Sequence, residues 1–428
     1  VEFEVPPARG LGDLADLLPR NGDRYSLDGP HGRQSGVGVV ITADPLPELE
    51  RRMGWSAAYL HGSILPSGRF VYRRDFADGT EDHSRYNLLR HAGTLFALAD
   101  YHLDLEPDPD QTANLARAAR FLVRCCIAPV AEAPGSLAVW SDPAQTGSRF
   151  PHAQAKLGGA GLALVALTTL ERIRPGVTDQ ETWRGLGEFI LFMQGSDGGF
   201  VSKYVPVRGG RDDSWTSLYY PGEAALGLLL LYELDPDPRW LQGAMDALRH
   251  LAREREQATE IPADHWALMA TARLFALDHA VLSAATPATI AWGGGQDRLG
   301  VRDTLLAHAS RIVDSILDEQ HGDEAGPCLA GGFEPSGRVS PTATRLEGLL
   351  AALTFLPPGS TRDRAELAVA RGVDFLLDAQ ITEGPFRGAF TRVSVACRSQ
   401  QPRAQEVRID TVQHALSALL GQHRRLSH

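Results

Sequence analysis

The sequence lacks any apolar run long enough to cross a membrane as a helix. Such a span needs roughly 18 consecutive apolar residues, and the longest run here, Ala224 to Tyr232, falls well short. Cysteine is scarce as well. The four cysteines are Cys125, Cys126, Cys328 and Cys397; two are adjacent and no Cys-x-x-Cys occurs. That excludes a disulfide framework and makes a reduced, cytoplasmic setting the expectation. Cys328 and Cys397 have no adjacent histidine and read as buried or incidental thiols rather than zinc ligands. A basic excess is also missing. The net charge of −11 excludes a general nucleic-acid binder, while a local basic pocket for an anionic small substrate stays compatible with it. The chain starts at Val1 without a methionine, which is compatible with trimming and with a removed signal peptide.

Cofactor motifs are absent too. The acidic clusters at Asp108 and Asp110, Asp235 and Asp237, and Asp212–Asp213 lack the glycine and bidentate glutamate of an EF-hand loop. Gly293–Gly295 (WGGGQ) carries no following Lys-Ser/Thr and reads as a flexible loop, not a phosphate cradle. Neither a cofactor nor a metal is expected.

What is present is a long succession of helical patterns. Residues 1–85 are mixed. They hold extended candidates at Gly36–Thr42 and Arg69–Asp75 and one helix at Leu46–Met53. From Tyr86 to the end two kinds of helix alternate. Six are rich in small residues and leucine and start with polar groups: Tyr86–His102, His152–Ile173, Pro221–Leu234, Asp264–Leu277, Thr342–Phe355 and Arg408–Leu420. The others, Thr112–Ile127, Gln180–Gln194, Pro238–Arg255, Arg302–Gln320 and Arg362–Gln380, are charged and amphipathic. Helices apolar nearly all round are buried, and helices with a single apolar stripe lie outside. Gly158, Gly159, Gly222, Gly227, Ala343 and Gly348 suit close approach in an inner ring. Six inner and five outer helices, closed by Leu46–Met53, predict an all-α fold of six helical hairpins, an (α/α)6 toroid. The expected division is a mixed N-terminal segment, 1–85, and a toroid catalytic domain, 86–428.

Two outer helices end alike. Phe189-x4-Gln194-x3-Gly198-x-Phe200 matches Phe375-x4-Gln380-x3-Gly384-x-Phe386, with a looser copy at Gln320 and Gly332-Phe333; repeats on this scale mark stacked supersecondary units. These repeats resemble the QW-type repeats of terpenoid cyclases and prenyltransferase β subunits. The hairpin alternation is similar to that of six-hairpin glycosidases and the N-acylglucosamine 2-epimerase family. The resemblance spans roughly residues 86–428 and implies the toroid fold. For the epimerase family it implies proton transfer by two histidines on the fourth and sixth inner helices, where His265 and His414 fall here.

The unusual polar residues gather in the first two turns of the inner helices, ends that parallel packing would bring to one mouth. His265, His414, Asp264, Glu223 and Asp410 are the candidates for proton chemistry, because histidine titrates near neutrality and paired carboxyls serve glycoside hydrolysis. Arg90, His91, Lys156, Asp213, Trp215, Tyr219, Tyr220, Trp266, Arg345, Glu347 and Arg408 are the candidates for holding substrate; the cations suit carboxylate or phosphate. The set predicts an enzyme using general acid/base catalysis on a sugar-like or anionic substrate, a small molecule or oligosaccharide, as a hydrolase, epimerase or lyase. Terpenoid cyclase or prenyltransferase chemistry is the alternative, set against a missing Asp-x-Asp-Asp, a missing Asp-x-Cys and 7% aromatic residues. A non-catalytic binding toroid is a second alternative. The sequence does not indicate the oligomeric state.

Overall fold

A computed structural model describes residues 45–278, 281–282, 300–397, 401 and 403–427. The extended candidate Gly36–Thr42 and the Gly293–Gly295 run lie outside these residues. Among the described residues, twelve helices of eleven residues or more alternate between two shells. The outer ones are α1 (Leu46–Gly62), α3 (Pro109–Phe121), α5 (Gln180–Phe192), α7 (Pro238–Glu254), α9 (Val301–Asp318) and α11 (Ser360–Ala379). The inner ones are α2 (Leu88–Asp104), α4 (Leu157–Ile173), α6 (Tyr220–Leu234), α8 (His265–Phe275), α10 (Val339–Leu353) and α12 (Ile409–Ser427). Each inner helix packs on the next, and α12 returns to α2, so the ring closes as an (α/α)6 toroid. No described helix is long and apolar enough to cross a membrane.

The two shells follow from composition. In α4, all but the last three residues are buried, as an inner helix must be. In α7 the buried set is one stripe containing Trp240, Leu241, Ala244, Met245, Leu248 and Leu251, the i, i+3, i+4 spacing of a helix buried on one side. Asp108, Asp179 and Asp237 cap α3, α5 and α7 with their side chains, which stops the chain sharply between hairpins. Glycine sets the inner-ring spacing. A Cβ on Gly222 would meet Ala267 N and the Trp266 carbonyl carbon at 2.7 Å, and one on Gly161 would meet the Glu223 backbone at 2.7 Å. Gly159 is different: its nearest foreign atom is the Val139 side chain at 3.4 Å, so it faces a strand.

The repeated motif stitches the outer shell. Gln194 donates through Nε2 to the carbonyls of Gly198 and Gly243 (3.1 and 2.9 Å), the latter on α7. Gln320 donates to Gly331 and to Ala368 on α11 (3.1 and 2.8 Å). Gln380 donates to the Arg52 carbonyl on α1 at 3.0 Å and closes the circle. The glycine that follows sits at positive φ and lies against the next outer helix, where a Cβ would collide. A Cβ on Gly198 (φ 89°) would stand 2.4 Å from the Asp246 carbonyl oxygen, and one on Gly388 (φ 88°) 2.2 Å from the Trp55 carbonyl. This corrects the second copy of the repeat. Its structural pair is Gly388-x-Phe390, with Phe390 fully buried, whereas a Cβ on Gly384 would meet nothing within 4 Å.

Strands occupy the long connections. β1 (Arg73–Asp75) pairs antiparallel with β7 (Glu406–Arg408), placing Arg73 opposite Arg408. A five-stranded antiparallel sheet runs β2 (Ile127–Pro129), β3 (Leu137–Ser141), β4 (Gln154–Lys156), β5 (Lys203–Val205), β6 (Gly210–Asp212). The connections leading into α4 and α6 are thus partly sheet.

Cys328 and Cys397 form a disulfide, which corrects their reading as incidental thiols. Nothing local marks the pair in sequence, because 69 residues separate them and only the ring closure joins their segments. A loop of that length stabilises by roughly 4 kcal/mol through chain entropy. Thiol titration of the denatured, unreduced protein is expected to count two thiols, Cys125 and Cys126, and four after reduction. Reduction should lower the urea midpoint; four thiols without reduction would rule the bond out.

Candidate active site

His265 opens α8 and is 2% exposed. Asp264 caps this helix, accepting from Ala267 N–H at 3.1 Å and from Arg255 Nη2 at 2.9 Å. Neither ring nitrogen of His265 has a hydrogen-bond partner. Its ring packs edge-on against Tyr219 (5.1 Å between centroids) and against His414 (5.8 Å). Gly348 permits α10 to close on α8, since its Cβ would stand 3.1 Å from His265 Cα. That approach delivers Glu347, whose Oε2 lies 2.8 Å from His414 Nδ1 and 3.8 Å from His265 Nε2. The ligand atoms of His265, Glu347 and His414 all fall within 4.8 Å of one another.

The two histidines are pushed in opposite directions. Burial, then the neighbouring His414 and Arg345, hold His265 well below the ordinary histidine value, so it is neutral at pH 7. For His414 burial acts downward, but Glu347, by charge and hydrogen bond, and Asp410 outweigh it, and its value is raised. The values of the two neighbouring histidines are thus pushed apart, the pattern expected of a base and an acid.

The other carboxylates are mostly engaged. Asp410, one helical turn before His414, accepts from Arg408 Nη2 at 2.7 Å and pairs with Arg90 Nε at 2.8 Å. These cations offset its burial and hold it below the usual carboxylate range. Asp264 is fully buried in its cap and its Arg255 pair. Glu223 differs. Its Oε2 is buried without a partner, and burial, reinforced by Asp264, pushes it well above the usual range. Burial thus favours its protonated form, which can donate a hydrogen bond.

Around this centre stand the candidate substrate groups. Tyr219 lies beside Arg345, which pairs with Glu319 at 2.8 Å. Trp266 is buried beside His265. Tyr220 lies beside Glu223 and edge-on to Trp215 at 5.8 Å. Trp215 is 45% exposed and covers Lys203 Nζ at 4.2 Å. Lys156 ends β4 with Lys203 opposite it. Two candidates stand apart. His91 is fully buried between the Tyr86 hydroxyl (2.7 Å) and the Ala118 carbonyl (3.1 Å) on α3, and Asp213 is exposed on the loop after β6. Sequence reasoning missed Tyr72, which accepts from Arg90, and Lys203. Tyr72 lies inside the strand candidate Arg69–Asp75, where alternation gives no hint of a site.

No family model matches the sequence, and no curated protein matches it. Solved structures do match in fold. A D-mannose isomerase is 13% identical, with 88% of this chain and 97% of that chain covered and a TM-score of 0.60. The cellobiose 2-epimerase of Spirochaeta thermophila DSM 6192 is 16% identical over 90% and 99%, at 0.58. The alpha-1,6-mannanase of Salegentibacter sp. HEL1_6 is 13% identical over 89% and 99%, at 0.55. At these identities the likeness establishes the toroid and nothing about chemistry.

Proposed function

We propose that this protein is a sugar isomerase or epimerase that moves a proton at the carbon next to a sugar carbonyl. The observation that carries the reading is the pair of His265, pushed down, and His414, pushed up, packed edge-on with 5.8 Å between ring centroids. His265 takes the C–H proton while the electron pair moves onto the carbonyl oxygen. Glu223, whose protonated form burial favours and whose Oε2 has no partner, supplies a hydrogen-bond donor for a substrate oxygen. His414 returns a proton to carbon and the carbonyl re-forms. Mannose isomerase and cellobiose 2-epimerase among the similar folds support this class. Hydrolysis is less well supported, because it needs two free carboxyl groups and Asp264, Asp410 and Glu347 are all paired. The Cys328–Cys397 bond supports an oxidising compartment over the cytoplasm.

Incubation with D-mannose, cellobiose and a uronate in D2O tests the reading. Deuterium at the carbon beside the carbonyl, followed by NMR, is expected. Release of reducing ends from an alpha-1,6-mannan without exchange would replace it with hydrolysis. The His265–Glu347–His414 set also suits a divalent cation; exchange lost on chelation and restored by zinc would favour that second reading.

A further inference from the structure

Only two of the chain's 42 basic side chains are lysines, Lys156 and Lys203. They lie 47 residues apart in sequence, yet β4 and β5 pair them directly across the sheet. In an antiparallel pair, residues in register point to the same face, and like charges placed so repel. Arg90 adds a third positive charge close to Lys156. Among the described residues neither lysine forms an ion pair or a hydrogen bond. The nearest acid by register, Asp212 on β6, is taken by Arg208 at 2.9 Å and by the Ser214 N–H at 3.1 Å. Both lysines are half-buried. Concentrating the only two lysines of an arginine-rich chain here selects a compact ammonium over a broad planar guanidinium.

Repulsion between half-buried cations is relieved by an anion between them. Arg408 and Arg345 already hold carboxylates of the protein, so the sheet pair is the open anion receptor of the mouth. We propose that the substrate is an anionic sugar whose carboxylate or phosphate sits between Lys156 and Lys203, beside the Trp215 ring. This rests on the isomerase reading for the word sugar, but not for the anion.

The test is calorimetric titration of the intact protein with inorganic phosphate, a hexose 6-phosphate, a hexuronate and the neutral hexose, alongside deuterium exchange on each sugar. One anionic sugar is expected to bind more tightly than the neutral hexose, and which one distinguishes phosphate from carboxylate. Lys203→Gln should weaken that anion by about 30-fold, the size of one charge-assisted hydrogen bond, while Lys203→Arg keeps most of the affinity and controls for folding. Equal binding of neutral and anionic sugars, unchanged by Lys203→Gln, overturns the proposal even if exchange occurs. Anion binding lost in Lys203→Gln, with no exchange on any sugar, keeps the receptor and sinks the isomerase reading instead.

Discussion

Replacing His265 with asparagine is expected to lower kcat for proton exchange about a thousand-fold, within the range general acid/base groups contribute, without unfolding the protein. The fold does not depend on the imidazole, since both of its nitrogens are buried without partners and the helix start is fixed by Asp264. His414→Asn should cost a similar factor. The double variant should be little worse than either single one, because the two groups act as a unit. The pH profile follows from the two shifts. Activity requires His265 neutral and His414 protonated. His265 is held well below its ordinary value and His414 above it, so activity should persist below pH 6 and decline as pH rises through the His414 value. Glu347→Gln removes the charge that raises His414, and the alkaline limb should move to lower pH. A His265→Asn variant with wild-type kcat, or an alkaline limb unmoved in Glu347→Gln, would remove this pair from the chemistry.

The ring could be read from the sequence because it is periodic. Small-residue helices such as His152–Ile173 and striped ones such as Pro238–Arg255 differ in composition over their whole length, and the difference states which shell each belongs to. The candidate histidine pair is reachable for the same reason: polar residues at the starts of apolar helices stand out. What could not be read depends on contacts between distant segments. β4 and β5 are three-residue strands too short to show alternation, so Lys203 and its pairing with Lys156 went unseen. The scarcity of lysine was the available signal. The Cys328–Cys397 bond and the pairing of β1 with β7 need the ring to close before they exist. The repeat was found but set four residues off at its second copy, because a Gly-x-Phe at 384–386 imitates the true one at 388–390, and only the approach to Trp55 separates them. Direction matters as well. His265 starts its inner helix and His91 lies in the first turn of another, yet His91 points outward to the Ala118 carbonyl on α3, a matter of helix phase.

Outward-facing and interlayer histidines carry the second large effect, a steep loss of stability in mild acid. His91 is fully buried, donating to Ala118 and accepting from Tyr86, and burial holds it at about 4. His61, against His102 at 2.9 Å, is also lowered by burial to about 4. His308, beside Arg255, is lowered by burial to about 3. Each is below the unfolded value near 6.5. The unfolded chain therefore binds protons that the folded chain refuses. The stability these groups contribute is complete above pH 6.5 and is lost as pH falls toward their folded values. One extra proton corresponds to roughly 1.4 kcal/mol per pH unit, so three give about 4 kcal/mol per unit between pH 6 and pH 4. His102 and His265 act in the same direction. His414 is opposite: its raised value adds stability below pH 6.5 that is lost as pH rises through it. Against a typical total of about 5–15 kcal/mol, the protein is expected to unfold between pH 5 and pH 4. Urea titrations at pH 7, 6 and 5 read the slope directly. His308→Gln should reduce that slope by about one proton's worth, roughly 1.4 kcal/mol per unit. A midpoint that stays level from pH 7 to pH 5 would mean that these histidines accept protons in the folded state, and that the interlayer spaces holding them are open to water.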